Sequence, residues 1–235
     1  MNKSHLILIP TLLGDSPLEN SMPANLASVL AGTKHYIVED LRTARRFLKK
    51  VDRDIDIDSL QFYVLNEHTP EEEIPDMIQP LLEGNDTGLM SEAGTPCVAD
   101  PGALIVSLAH KKSIRVIPLS GPSSITLALM ASGFNGQSFT FHGYLPVDSK
   151  QRASALKRIE QDAYRNDQTQ IFIETPYRNM QMFEGIIKNC LPETRLCIAA
   201  NLTTEDEMIR TTTVKKWKKE PPAIHKQPAV FLIYK

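Results

Sequence analysis

Cysteine is scarce in this sequence, and metal-ligand spacing is missing. The 235 residues include three cysteines, Cys97, Cys190 and Cys197, and no CxxC pair. This odd, unclustered set argues against both a disulfide framework and a zinc site of the usual spacing. The six histidines are scattered in the same way, so we predict no metal. Such cysteine usage favours a reducing compartment, and we therefore expect a cytoplasmic protein.

Long apolar runs and a strong net charge are also missing. The N-terminal run LILIPTLLG is shorter than the roughly 20 residues that cross a bilayer, and Pro10 interrupts it. We therefore predict no membrane association and no secretion signal. The formal net charge of −2 provides no overall basic field. A nucleic-acid partner would consequently need a local basic patch.

The first half of the chain alternates short β-branched stretches with amphipathic segments. Apolar periodicity predicts strands at 5–10, 35–40, 60–66, 87–91 and 115–119. Helices are predicted at 18–30, 42–51, 70–85 and 104–112. This alternation indicates an α/β fold, with a mainly parallel sheet and helices on both of its faces. We expect the N-terminal domain to comprise residues 1–119.

The pattern changes beyond residue 119. Strands are predicted at 139–145, 169–175, 195–202, 208–217 and 229–234, and helices at 125–133, 149–165 and 177–189. We expect residues 120–235 to form a second domain with a mixed α/β sheet. The run VKKWKKE (214–220) has two interpretations. It is either an RNA contact in which Trp217 stacks on a base or, more commonly for such a pattern, a solvated edge strand.

The most unusual stretch is LMSEAGTPCVADPG (89–102), a polar loop between two apolar segments. Gly94 and Gly102 permit positive φ and the close approach of a ligand, while the two prolines oppose collapse into helix. The turn PLSGPSS (118–124) repeats this chemistry after another predicted strand. One such loop is as readily a plain β-to-α connection, but two after different strands favour a ligand site. No GxGxxG follows the first strand and no GxxxxGK[ST] occurs, so the predicted ligand lacks a phosphate chain.

These motifs together resemble those of one family. SEAGTPCVADPG, PLSGPSS, ASG and FHGYLP occur in the order that is typical of the tetrapyrrole methylase superfamily. Within it, the chain is most similar to the branch that methylates the ribose 2′-hydroxyl of a cytidine in small-subunit ribosomal RNA. IFIETPYR and VEDLRTARRFL resemble further motifs of that branch, so the resemblance covers most of the chain.

The resemblance implies two α/β domains with S-adenosylmethionine in the cleft between them, and it implies a homodimer. The central loop would then wrap the methyl donor. Backbone amides and short hydroxyls suit this ligand, whose adenine and carboxylate need directional hydrogen bonds. Transferred position by position, the cofactor-binding residues are Pro10, Gly94, Thr95, Val98, Ser123, Ser124, Glu174 and Ala199.

The side that would bind the methyl acceptor departs from the branch. Leu65 stands where the family has a histidine, and the family's ARELTK is replaced by AANLTT (199–204). The arrangement also permits a plain ion pair between Glu39 and Arg42 or Arg45 near a helix N-terminus. The carboxylates that remain as candidate proton acceptors are Glu39, Asp40 and Glu67. The arginines that remain to hold a phosphate backbone are Arg42, Arg45 and Arg178.

Three functions stay open at the level of sequence. The first is an S-adenosylmethionine-dependent methyltransferase that acts on small-subunit ribosomal RNA. The near-neutral charge also permits a methylase of a small molecule such as a tetrapyrrole. The altered acceptor-side motifs permit a third function, a cofactor-binding relative with little catalysis.

Overall fold

Residues 4–235, described by a computed structural model, divide into two units between Ser123 and Ser124. Residues 1–3 of the predicted first domain lie outside the described residues. Each unit has its own five-stranded sheet.

The sheet of the first unit is wholly parallel. Its strands are β1 (His5–Ile9), β2 (His35–Val38), β3 (Gln61–Val64), β4 (Thr87–Met90) and β5 (Arg115–Pro118). They lie in the order β3-β2-β4-β1-β5, and every pairing is parallel. Short runs rich in β-branched, leucine and aromatic residues favour these strands, and all five predicted strands are confirmed. Because the strands run the same way, their carboxyl ends share one edge of the sheet.

Helices cover both faces of this sheet. They are α1 (Leu26–Gly32), α2 (Leu41–Val51), α3 (Gln79–Leu82) and α4 (Ala103–Lys111). Ile7 and Ile9 pack in one buried cluster with residues of α1 and α2. Leu6 packs in another cluster with residues of α3 and α4. Successive strand residues therefore face opposite layers, which confirms the predicted architecture.

Prolines make two predicted helices shorter than expected. Within 18–30, a 3₁₀ turn covers Leu18–Asn20, and α1 begins only at Leu26, because Pro23 disfavours helix in the residue before it. Within 70–85, a 3₁₀ segment at Glu71–Ile78 precedes α3, and this segment contains Pro75. Proline has no N–H to donate, so a regular α-helix cannot run through it undisturbed.

The second unit contains a mixed sheet. Its strands are β6 (Phe139–Tyr144), β7 (Thr169–Ile173), β8 (Arg195–Ala200), β9 (Met208–Thr213) and β10 (Ala229–Tyr234). Its helices are α5 (Ser124–Ser132), α6 (Ser149–Asn166), α7 (Asn179–Asn189) and α8 (Val214–Lys219). In the order β6-β7-β10-β8-β9, the β6–β7 pair is parallel and the other pairs are antiparallel. The predicted mixed sheet is confirmed.

The strand predicted at 208–217 ends at Thr213, and the lysine-rich run that follows forms α8, so the predicted edge strand is wrong for that run. Val214 and Trp217 lie three residues apart and therefore share one face of α8, which packs in the core of the second unit. Trp217 is 1% exposed, and its Nε1 donates a hydrogen bond to Leu196 O at 2.9 Å. Lysine is a good helix former and stays exposed on the other face. Since Trp217 is buried, it does not stack on an RNA base.

Candidate functional site

The loops that follow β1 and β4 are joined at the carboxyl edge of the first sheet. Thr11 N donates to Gly94 O at 2.9 Å, and Gly94 N donates back to Thr11 O at 3.2 Å. The Thr11 hydroxyl also donates to Ser91 O at 3.4 Å. Loops at the carboxyl ends of an open parallel sheet are the usual ligand-binding region of such folds. We call the two joined segments, 10–13 and 91–102, the cradle.

The backbone of the cradle is strained and is held in place by a carboxylate. Gly94, Cys97 and Ala99 have φ values of 77°, 69° and 64°, and positive φ is uncommon outside glycine. Asp100 accepts hydrogen bonds from Cys97 N and Gly102 N, each at 2.7 Å. Asp100 was missed in the sequence, although aspartate before Pro-Gly is a typical turn signal. Strained residues of this kind concentrate at functional sites.

Three glycines allow the cradle to pack closely. Gly94 has the positive φ that the sequence predicts. A Cβ on Gly94 would lie 2.9 Å from Leu13 Cδ2, so the space beside it is filled by protein. Gly102 has a φ of −56°, and a Cβ there would lie 2.9 Å from the Leu89 side chain. A Cβ on Gly121 would overlap the buried ring of Pro10. The cradle is therefore packed against its own support and does not need a ligand to hold its shape.

Glu39 is the candidate carboxylate that contacts the cradle. It follows β2, the neighbour of β4, and its Oε2 accepts a hydrogen bond from Glu92 N at 3.1 Å. Burial raises the pKa of Glu39 above its usual value. The bond from the Glu92 amide partly offsets this effect, and the charges of Glu92, Asp100 and Asp40 raise the pKa further. A carboxyl group with a raised pKa beside a preorganised loop suits a general base.

The other two candidate carboxylates have different positions. Asp40 caps α2 by accepting a hydrogen bond from Thr43 N at 2.7 Å, and hydrogen bonding by Thr43 lowers the pKa of Asp40. Glu67 follows the edge strand β3, and its side chain is 86% exposed. Two strand spacings separate β3 from β4, which is about 10 Å. Of the three carboxylates, the fold brings Glu39 to the cradle.

Arg42 and Arg45 are exposed on α2. Within residues 4–235, neither forms an ion pair with Glu39, so that alternative interpretation is wrong. The Arg45 guanidinium instead lies 5.4 Å from the centre of the Phe62 ring. Arg42 lies in the first turn of α2, close to Asp40, whereas Arg45 lies toward the amino end of β3, where Phe62 is located.

In the second unit, Glu174 and Arg178 bind each other. The Glu174 side chain is 1% exposed, and its Oε1 accepts hydrogen bonds from Arg178 Nε at 3.0 Å and Nη2 at 2.6 Å. The same oxygen accepts a bond from Thr175 N at 2.7 Å. Arg178, a candidate phosphate ligand, is thus held by a buried carboxylate of its own loop. Ala199 lies within β8 and is 1% exposed, so its side chain offers little surface to a ligand.

The remaining predicted cofactor residues differ in which of their groups are accessible to a ligand. Within residues 4–235, the Thr95 hydroxyl has no hydrogen-bond partner. Val98 is 47% exposed. Ser123 directly precedes α5, which begins at Ser124. The cradle therefore offers a free hydroxyl and an apolar surface on a fixed backbone.

The described part of the chain lacks a cluster of metal-ligating side chains and a membrane-spanning helix. No group of three His, Cys, Asp or Glu side chains in residues 4–235 is arranged to hold a metal ion. Across the same residues, no helix combines the length and the apolar character that a bilayer crossing requires.

Known proteins resemble this chain over most of its length. The family model for tetrapyrrole (corrin/porphyrin) methylases matches residues 21–217. A ribosomal RNA small subunit methyltransferase I from Vibrio cholerae is 30% identical over 205 residues, which cover 87% of this chain and 67% of that protein. The protein of the same name from Haemophilus influenzae is 32% identical over 175 residues, which cover 73% of this chain and 60% of that protein. The chain thus spans about two thirds or less of the length of these relatives.

A solved structure shares the fold. The crystal structure of uroporphyrin-III-C-methyltransferase from Thermus thermophilus has a TM-score of 0.58 and 17% identity, covering 100% of this chain and 93% of that chain. At this level of identity, the likeness concerns the fold alone.

Proposed function

The chain belongs to the tetrapyrrole (corrin/porphyrin) methylase family, and from that premise we propose that it transfers a methyl group from S-adenosylmethionine to the ribose 2′-hydroxyl of a cytidine in small-subunit ribosomal RNA. Membership of the family makes the chain a methyltransferase. One observation carries the choice of RNA, namely that curated relatives at 30% and 32% identity are named as ribosomal RNA methyltransferases. The homodimer and the cytoplasmic location stay predictions.

The chemistry of the cradle fits S-adenosylmethionine. The Thr95 hydroxyl offers a hydrogen bond to a nucleoside or a carboxylate, and Val98 offers an apolar surface to the adenine. Bound there, the cofactor would supply an electrophilic methyl group and would need no metal. The roles assigned by resemblance to Pro10, Ser123, Ser124, Glu174 and Ala199 stay predictions. Of these, Glu174 already uses its carboxylate to bind Arg178.

Glu39 is the proton acceptor in this proposal. The acceptor hydroxyl must lose its proton as its oxygen forms a bond to the methyl carbon. Glu39 Oε2 is engaged by the Glu92 amide, which leaves Oε1 to take that proton. Asp40 is occupied as a helix cap and Glu67 is solvated away from the cradle, so neither competes for this role. Arg42, which is exposed three residues after Glu39, is the residue that binds a phosphate of the same RNA in this proposal.

The direct test is transfer of a labelled methyl group. Small ribosomal subunits assembled on RNA transcribed in vitro should take the label from S-adenosylmethionine in the presence of a chelator. Alkaline hydrolysis should release the label in a dinucleotide, because a 2′-O-methyl group blocks cleavage at that ribose. Label in a tetrapyrrole fraction of a cell extract would support the small-molecule methylase instead. Binding of the cofactor with no labelled product would support the relative with little catalysis.

The substitution Gly94→Ala should weaken binding of S-adenosylmethionine about tenfold or more. The left-handed backbone costs a residue with a Cβ about 1–2 kcal/mol, and the Cβ would press on Leu13 and on Pro122 O, at 2.9 and 3.2 Å. Gly84→Ala is the matched control, because Gly84 has a φ of 95° but nothing within 4 Å of its Cβ position. Calorimetry should show near-normal affinity for that control. Equal affinities of the two variants for S-adenosylmethionine would show that the cradle does not bind the cofactor.

A further inference from the structure

We propose that the exposed face of α2 is an RNA-binding surface that holds the phosphate backbone of the substrate and directs it toward Glu39. This inference rests on the proposed function and extends it from single arginines to a continuous surface. We call the surface, formed by Arg42, Arg45, Arg46, Lys49 and Lys50, the basic face.

The spacing of residues in α2 separates charge from apolar side chains. The helix reads LRTARRFLKKV, with no acidic residue in its 11 positions. Ala44, Phe47 and Leu48 are buried against the sheet. The five cations recur at intervals of three and four residues, so they share the opposite, exposed side. From Arg42 to Lys50 they extend along about 12 Å of helix, which is enough to meet more than one phosphate.

Most of these cations have no acidic partner in the described part of the chain. Arg42 and Arg46 form no hydrogen bond or ion pair through their side chains among residues 4–235. Arg45 is fixed over the Phe62 ring, and Lys49 Nζ donates only to Arg53 O at 2.9 Å. Lys50 is the exception, because its Nζ lies 2.7 Å from Asp15 Oδ1. In a chain with a net charge of −2, such a concentration of unpaired cations is a local field that favours a polyanion.

The charge along this part of the fold also has a direction. The basic face starts at Arg42, three residues after Glu39 and two after Asp40. Beyond the end of α2, the sequence DRDIDID places four aspartates at 52–58, near the opposite edge, where β3 begins. A phosphate backbone is attracted to the first region and repelled by the second. The phosphate backbone is therefore held along α2 and kept away from the aspartates, and the Arg42 end of the face follows Glu39.

The planar guanidinium groups of the arginines favour RNA over an acidic protein as the partner of the basic face. Guanidinium groups form paired hydrogen bonds with phosphate oxygens, and arginines supply three of the five positions. An acidic protein would also be attracted, but it presents carboxylates at irregular spacing. Competition therefore separates the two partners. Unlabelled ribosomal RNA, and not polyglutamate of equal charge, should displace the bound substrate.

The test removes two cations that carry no other role in the proposed function. Arg46→Ala/Lys49→Ala keeps a good helix former at both positions and leaves Arg42 and Glu39 in place. Lys218→Ala/Lys219→Ala, on the exposed side of α8, is the matched control with the same loss of charge. Binding to small ribosomal subunits is measured at several salt concentrations, together with methylation rates and affinity for S-adenosylmethionine.

The α2 variant should bind subunits about tenfold more weakly. The slope of log binding constant against log salt concentration should become shallower by about 1.5, as expected for two lost phosphate contacts. The KM for subunits should rise with little change in kcat, and cofactor affinity should stay the same. Two results would show that the basic face does not bind RNA and would leave the proposed function intact. One is an equal loss of subunit affinity in the α8 control, and the other is no loss of affinity in the α2 variant while the wild type methylates subunits. Conversely, α2-dependent RNA binding by a wild type that never methylates subunits would keep the surface and reject the function.

Discussion

Glu39→Gln should slow methyl transfer to small ribosomal subunits by about 10²- to 10⁴-fold, the usual contribution of a positioned base. The glutamine carbonyl can still accept the hydrogen bond from Glu92 N, so the contact between β2 and the cradle is retained. What is lost is the proton acceptor. Binding of S-adenosylmethionine should therefore be unchanged, and the defect should appear in kcat.

The pH dependence of the wild type provides a second measurement of the same role. Glu39 must be ionised to accept a proton, so the rate should fall as the pH drops through its pKa. An ordinary glutamate has a pKa of about 4.3. Because burial raises the pKa of Glu39, the rate should begin to fall at a higher pH than it would with an ordinary glutamate as the base. Glu67→Gln is the control, since its exposed side chain lies away from the cradle. A normal rate and pH profile in Glu39→Gln would exclude this carboxylate as the base.

Arg178→Ala should destabilise the second unit by about 2–4 kcal/mol. The substitution leaves the Glu174 carboxylate buried, with Thr175 N as its remaining hydrogen-bond donor. Breaking a buried pair by removing one partner typically costs about 3–5 kcal/mol, and the partial exposure of Arg178 reduces that figure here. Trp217 is the only tryptophan of the chain and is buried in the core of this unit. Its fluorescence during urea unfolding therefore reports on the second unit.

A double variant separates the ion pair from other effects of Arg178. Glu174→Gln/Arg178→Ala removes the buried charge but keeps an acceptor for Thr175 N, so it should recover at least half of the lost stability. Arg158→Ala, at an exposed position of α6 in the same unit, should change stability by no more than about 0.5 kcal/mol. If Arg178→Ala unfolds like the wild type but binds subunits weakly, Arg178 is a phosphate ligand and not a structural one.

Local patterns in the sequence were sufficient for most elements of the fold. All five strands of the first sheet lie where apolar stretches predicted them, because β-branched and aromatic residues favour extended backbone independently of distant contacts. The errors occur where local signals conflict. Pro75 converts a predicted helix into a 3₁₀ segment, and the polar lysines around Trp217 suggest an exposed aromatic although the side chain is buried. Its spacing of three from Val214 was the signal for a buried helical face.

By itself, the sequence determined the α/β class, the position of the constrained loop at 89–102 and the family resemblance, since these depend on local spacing and on long motifs. Only the tertiary structure decided which candidates meet. Glu39 and Glu92 are 53 positions apart, and they touch because β2 pairs with β4, whereas Glu67 stays on the edge strand. Likewise, Arg178 and Glu174 are four positions apart in the sequence, but only the structure shows that the Glu174 carboxylate is buried. Arg178, a candidate phosphate ligand, therefore pairs with Glu174. Strand order and burial arise from contacts between distant segments, which no short stretch of sequence specifies.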